Sequence, residues 1–156
     1  MLSHKAKYAL KALLALAAIA EGELLQGGEI AEQQRIPRKF LDLILQELRH
    51  HRLIESARGK KGGYALALPA DVITVGRVIR AIDGPLAPIA CASVSGYRRC
   101  PDCQNEKTCA VRRLMREVRD AAAGILDHIS LADAAATQLA KSPPAKRIRR
   151  AVARAA

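Results

Sequence analysis

The chain has 156 residues, with 26 Lys or Arg against 15 Asp or Glu, a net charge of +11. That length can bury a real core as one domain without staples, with an arm or tail to spare. Three tyrosines, one phenylalanine and no tryptophan make the core aliphatic and argue against a single-strand binder that stacks bases, while the basic excess favours a polyanionic partner.

Ser3 is placed to cap a helix running to about residue 21, with Ala9, Leu13, Leu16, Ala17 and Ala20 on one face. Its longest apolar run, residues 12–20, is far short of the ~20 residues of a membrane span. No signal-peptide cleavage pattern follows, and the chain is expected in the cytoplasm, with no membrane partner. Gly27 and Gly28 break the chain, and residues 29–34 read as a short helix. After a turn at Arg35 and Ile36, Pro37 can open a second helix, 37–50, because its missing N–H has no partner to lose there. Phe40, Leu41, Ile44, Leu45 and Leu48 form its apolar side.

Two short strands follow, 53–57 and 64–68, joined by the basic, glycine-rich tip Arg58-Gly59-Lys60-Lys61-Gly62-Gly63. Thr74 can cap a helix through Ile82, which Gly84-Pro85 ends. Residues 84–105 lack sustained periodicity. A long helix then spans about 106 or 108 to 129, roughly 35 Å, with Val111, Leu114, Met115, Val118, Ala122, Ile125, Leu126 and Ile129 in one stripe. Ser130 with Asp133 resembles a capping box for a last helix over 131–139. The end of the chain, 141–156, carries six basic residues, no acidic ones and Pro143-Pro144, and reads as a disordered tail.

Helix, short helix, turn, helix, strand, basic hairpin is the order of a winged helix-turn-helix. The major groove admits one helix by its N-terminal residues, and a hairpin beside it can reach phosphates or a minor groove. Residues 35–63 hold eight basic and three acidic residues, a net of +5. Arg38, Lys39 and Asp42 are expected in the major groove. Arg58 is placed to enter a minor groove, with Lys60 and Lys61 on phosphates, and Lys5 to touch the backbone. Asp42 can accept from cytosine N4 or repel wrong sites. Alternatively it pairs with Arg38 or Arg35, and the basic residues form an ordinary solvated face.

All four cysteines fall within 19 residues, as Cys91-x8-Cys100-x2-Cys103-x5-Cys109. The stretch between them is polar and loop-like, which leaves the thiols accessible. Clustered thiolates bind iron–sulfur clusters or zinc, and paired thiols can switch by oxidation. Spacing leaves those three readings open, and inert cysteines with them. All four histidines lie outside the window. An electron carrier needs no basic wing. An enzyme needs an acid, base, nucleophile or phosphate-loop constellation, and the pattern of Gly59, Gly62 and Gly63 supplies none. The chain is therefore not expected to be an enzyme.

Several segments then resemble one family. They are Lys7-Tyr8-Ala9-Leu10, Ile30-Ala31, Ile36-Pro37-Arg38-Lys39-Phe40-Leu41, Leu45-Gln46-Glu47-Leu48, and above all Ser56-Ala57-Arg58-Gly59-x-x-Gly62-Gly63-Tyr64. Two more are Ile73-x-Val75-x-x-Val78-Ile79-x-Ala81-Ile82-Asp83-Gly84 and Ile125-Leu126-Asp127-x-Ile129-x-Leu131-Ala132-Asp133. They resemble the winged-helix iron–sulfur and redox regulators of the Rrf-two family, such as IscR, NsrR and RirA, over about residues 1–135. The resemblance implies a mainly α fold and a homodimer built on long C-terminal helices. It also implies a duplex DNA site with two-fold-related half-sites, and a repressor whose affinity follows an iron–sulfur cluster, 2Fe–2S or 4Fe–4S. Its organisation would be a DNA-binding domain at 1–83, a sensor loop at 84–108, dimer and final helices at 109–140, and the tail.

The family's three cysteines match Cys91, Cys103 and Cys109, so Cys100 is additional. The IscR subgroup's histidine ligand corresponds to Arg112. The NsrR subgroup's N-terminal aspartate falls in a region that reads Lys7-Tyr8. The resemblance therefore leaves Cys100 as the fourth metal ligand or the fourth position open, with zinc or thiol chemistry as alternatives to the cluster.

Overall fold

The computed structural model describes residues 2–20, 22–59 and 61–141. Lys60, and all of the tail expected at 141–156 except Lys141, lie outside them. The order is α1 (His4–Ala17), α2 (Gly27–Gln34), α3 (Arg38–His50), β1 (Ile54–Ala57), β2 (Gly63–Leu66), α4 (Val75–Asp83), a 3-10 turn (Ala90–Ala92), α5 (Ala110–Leu126) and α6 (Leu131–Lys141).

Ser3 caps α1, its side chain accepting from the Ala6 N–H at 3.0 Å. Its own N–H donates to Asp83 at 2.9 Å, which ties the start of α1 to the end of α4. Helix α1 stops at Ala17, one turn short of the expected end. The chain must leave the helix there so that Leu25 can exchange backbone hydrogen bonds with Tyr64 at 3.0 and 2.9 Å. Gly27 and Gly28 do not break the chain; they form the first turn of α2. That turn is fixed by the Gln26 N–H donating to Glu29 at 2.7 Å, a reciprocal cap that offsets the glycines' backbone entropy.

Pro37 sits one residue outside α3, as its cap. Leu41, Ile44, Leu45 and Leu48 are buried along one side of α3, at the spacing of an amphipathic helix. Phe40 stays 38% exposed and meets the Tyr8 ring edge-on at 5.7 Å. These side chains join Ala6, Ala9, Ala12, Leu13 and Leu16 of α1, Ile30, Ile73, Val78 and Leu131 in one aliphatic core. Leu131 belongs to it because its N–H donates to the Ile73 carbonyl at 2.9 Å, while the Val75 N–H donates to the Ile129 carbonyl at 2.9 Å. The capping box at Ser130 and Asp133 is present in both directions, each bond at 3.0 Å.

The strands pair antiparallel, from Ile54 opposite Leu66 to Ala57 opposite Gly63. Their turn needs glycine at Gly62, where a Cβ would stand 2.3 Å from the Ala57 carbonyl oxygen. Helix α5 has 17 residues, about 25 Å, and not the ~35 Å expected. It starts late because residue 109 caps it, its Sγ accepting from the Arg112 N–H at 3.4 Å. No residue of α5 is buried. Val111, Leu114, Val118 and Ile125 are 51–61% exposed. Among the described residues, no helix is long and apolar enough to cross a membrane.

Candidate nucleic-acid interface and cysteine pocket

Arg38 and Lys39 in the first turn of α3 and Asp42 at the start of the second are exposed. The Arg38 Nε donates to Asp42 at 2.9 Å, one helical turn away, with both side chains about half exposed. This is the ion pair that the sequence offered as one reading of Asp42. The Arg38 guanidinium also reaches α2, coming within 3.2 Å of where a Cβ on Gly27 would stand. Arg38 of α3, Arg49 near its end and Arg58 of the hairpin line one cavity of about 450 Å³ with Gln26, Gly27, Gly28 and Tyr64. Among the described residues, no acidic side chain lines it. Arg58 and Lys61 are exposed at the hairpin tip. Lys5 lies on the other side of α3, paired with Glu47 at 2.6 Å.

Sequence reasoning gives Arg49 no site role. Its position eleven residues after Arg38 on the same helix, three full turns, is the signal that could have joined the two.

The cysteines fold into a second cavity of about 400 Å³, which all four line with Asp102, Thr108 and Arg112. The expected accessibility is wrong for one of them. Cys91 is buried on the 3-10 turn, and the other three are half-buried. The reason is α5, whose Arg112 Nε donates to the Cys91 carbonyl at 2.9 Å. Arg119, two turns further along α5, donates to the Ala92 carbonyl. The 3-10 turn is thus pinned to α5, and both carbonyls are satisfied by guanidinium groups. Arg112 also faces Glu106 at 3.7 Å, and Glu106 accepts from the Tyr97 hydroxyl. That bond holds the Tyr97 phenol above its usual pKa range. A hydrogen bond to Cys91 pushes the Cys100 thiol upward, helped by burial. Among the described residues, no three His, Cys, Asp or Glu side chains are placed to hold a metal ion.

The winged arrangement has counterparts in known proteins. The profile of the Rrf2 family, described as an iron-dependent transcriptional regulator, matches residues 2–137. The chain belongs to the Rrf2 family. An rrf2-like HTH-type transcriptional regulator of Rhodobacter capsulatus is 39% identical over 149 residues, 94% of this chain and 97% of the relative. IscR of Escherichia coli is 33% identical over 132 residues, 85% of this chain and 78% of IscR. Among solved structures, CymR of B. subtilis, the global cysteine regulator, superposes with a TM-score of 0.72 at 29% identity. That alignment covers 88% of this chain and 97% of CymR. IscR of T. potens gives a TM-score of 0.71 at 25% identity, with 93% of each chain covered. As an Rrf2-type regulator the chain is a DNA-binding protein and not an enzyme.

Proposed function

We propose that this chain is a cytoplasmic, homodimeric transcriptional repressor that reads two-fold-related half-sites in duplex DNA. Its cysteine pocket sets its affinity. The observation that carries the DNA reading is the polar cavity where Arg38 and Arg49 of α3 meet Arg58 of the hairpin, beside Gly27 and Gly28. Among the described residues no acidic side chain lines that cavity, so the face made by α3 and the hairpin offers DNA a positive surface. Lys39 and Asp42 then face base edges with Arg38, Arg58 enters an adjacent minor groove, and Lys61 meets phosphates together with Lys60 of the same tip. Lys5 touches the backbone at the flank, where leaving Glu47 costs little, because such half-exposed pairs contribute about 0–1 kcal/mol. The unburied α5, with Val111, Leu114, Val118 and Ile125 exposed, supports pairing with the same helix of a second copy.

Cys91, Cys103 and Cys109 match the family's ligand positions, and Cys100 is the fourth thiol of the same cavity. Thiolates are the donors that iron–sulfur clusters and zinc take, so the donor set fits in kind. An iron–sulfur cluster held there supplies a redox-responsive group whose loss frees the four thiols; zinc in its place supplies a redox-inert one. Arg112 and Arg119 connect the pocket to α5 whichever group is held. Selection of duplex sites from a random library by the full-length protein tests the DNA reading. Enrichment of two-fold-related half-sites supports it, and recovery of unpatterned sequence opposes it. Anaerobic purification with a metal assay tests the cofactor. Visible absorbance that is lost in Cys109→Ala supports the cluster. A colourless protein with one tightly held zinc per chain replaces it.

A further inference from the structure

Helix α3 turns by about 100° per residue. Leu41, Ile44, Leu45 and Leu48 therefore share the core side, where all four are buried. Lys39, Leu43, Gln46 and His50 fall within about 60° of one another on the opposite side, and all four are exposed. Arg38 and Arg49 lie to one flank of this crest, in the cavity they share with Arg58 of the hairpin. Glu47 lies to the other flank, paired with Lys5 of α1 at 2.6 Å. The crest is thus bracketed by cations from the hairpin side and from α1. Leu43 stands in its middle at 63% exposure, apolar among a lysine, an amide and a histidine. A lone exposed leucine is ordinary on a protein surface. This one is set apart by its place, continuous with the positive surface that α3 and the hairpin offer to DNA.

We propose that Leu43 is a specificity-determining residue that packs on the C5-methyl group of a thymine in each half-site. This rests on the reading of α3 as the helix that enters the major groove. Cations on both flanks meet the phosphates on either side and hold the crest against the base edges. Lys39, Gln46 and His50 can exchange water for a hydrogen bond to a base edge there. Leu43 has no such bond to make. The apolar feature of the major groove is the thymine methyl, and the other edge groups donate or accept hydrogen bonds. Against Leu43 those groups would lose water without gaining a partner. The position therefore favours thymine and disfavours cytosine, whose edge carries an N4 donor and no methyl. Burying one methyl group against an apolar side chain strengthens binding by about 4-fold.

The test uses the full-length chain and a duplex that it selects from a random library. Each thymine of the half-site is replaced in turn by deoxyuridine, in both half-sites together. This removes the methyl group and keeps the base pair and the O4 acceptor. Anisotropy at fixed salt measures every duplex with the native chain and with Leu43→Ala. The expected result is a thymine whose replacement weakens the native chain by about 4-fold per half-site. Leu43→Ala, with unchanged thermal melting, should bind the thymine and deoxyuridine forms of that duplex alike. A repeat selection with Leu43→Ala should lose the preference for thymine at that position. No thymine with a methyl effect, or a methyl effect of the same size in Leu43→Ala, overturns the proposal and leaves the groove reading of α3 standing. A selection that returns unpatterned sequence overturns that reading, and the methyl contact falls with it.

Discussion

Replacing Arg58 by alanine isolates the contribution of the wing. Arg58 is exposed at the hairpin tip. The hairpin itself is held by four paired residues on each strand, by the Gly62 N–H donating to the Gly59 carbonyl at 2.9 Å, and by the close packing of Gly62. None of these uses the Arg58 side chain, so the fold should change by no more than about 0.5 kcal/mol. Binding should change far more. A groove-reading arginine contributes about 1–3 kcal/mol of discrimination, which is a loss of about 5- to 160-fold for a selected site. A residue that met only phosphate would act differently. Losing one phosphate contact lowers the salt slope by about 0.9, so between 50 and 200 mM salt the deficit would shrink by about 3.5-fold. It would also weaken specific and random DNA equally. Fluorescence anisotropy with a selected duplex and a scrambled one, each at both salts, separates these. We expect a loss of at least 5-fold on the selected duplex and a much smaller loss on the scrambled one. Equal losses on both duplexes, or none at fixed salt, refute a groove role for Arg58.

Asp127 accepts two bonds from Arg80, at 2.6 and 2.8 Å, joining the end of α5 to α4 and holding its carboxyl below the usual range. A depressed folded-state pKa stabilises above the unfolded value and loses that contribution as pH falls through the folded one. Asp127→Asn should therefore cost up to about 1 kcal/mol at neutral pH, since both side chains are well solvated. In denaturant melts the deficit should fade as acid protonates Asp127. Gly76→Ala should cost no less, because its Cβ would stand 2.0 Å from the Asp127 Oδ1, and the two substitutions should not add. Leu114→Asp with Val118→Asp should convert the dimer to a monomer by light scattering with little change in the monomer's melting, as α5 buries no residue within the chain. Deleting 141–156, with its six basic residues, should lower the salt slope of DNA binding and leave site preference intact.

Much of the winged half was legible because its determinants are local. Ser3, Thr74 and the Ser130–Asp133 pair announce helix starts, and the alternation around the glycine-rich tip announces the hairpin. Where sequence reasoning missed a helix boundary, a partner it had not weighed decided the outcome, distant in sequence at α1 and local at α2. Helix α1 ends early so that Leu25 can pair with Tyr64, a contact across 39 positions that periodicity along α1 cannot register. Gly27 and Gly28 enter α2 because Glu29 caps Gln26, a stronger local term than the glycines' entropy. The site was legible as residue types and not as geometry. Clustered cysteines could be counted, but the burial of Cys91 depends on Arg112 and Arg119 reaching its turn from α5. Their seven-residue spacing beside the apolar stripe was the available sign. Arg38 and Asp42, four apart on one helix, form the pair their spacing allowed.

The central claim is that the cysteine pocket sets the DNA affinity of the α3 and wing surface. Its most direct test is the affinity of full-length protein for one selected duplex at fixed salt. Three preparations are compared: metal-free and reduced, anaerobically loaded with iron and sulfide, and metal-free after peroxide. A coupling of the usual size, about 1–3 kcal/mol, separates states by about 5- to 150-fold, and the account predicts that at least one pair of states differs by that much. The same affinity in all three, with metal content and thiol state confirmed in each, contradicts it.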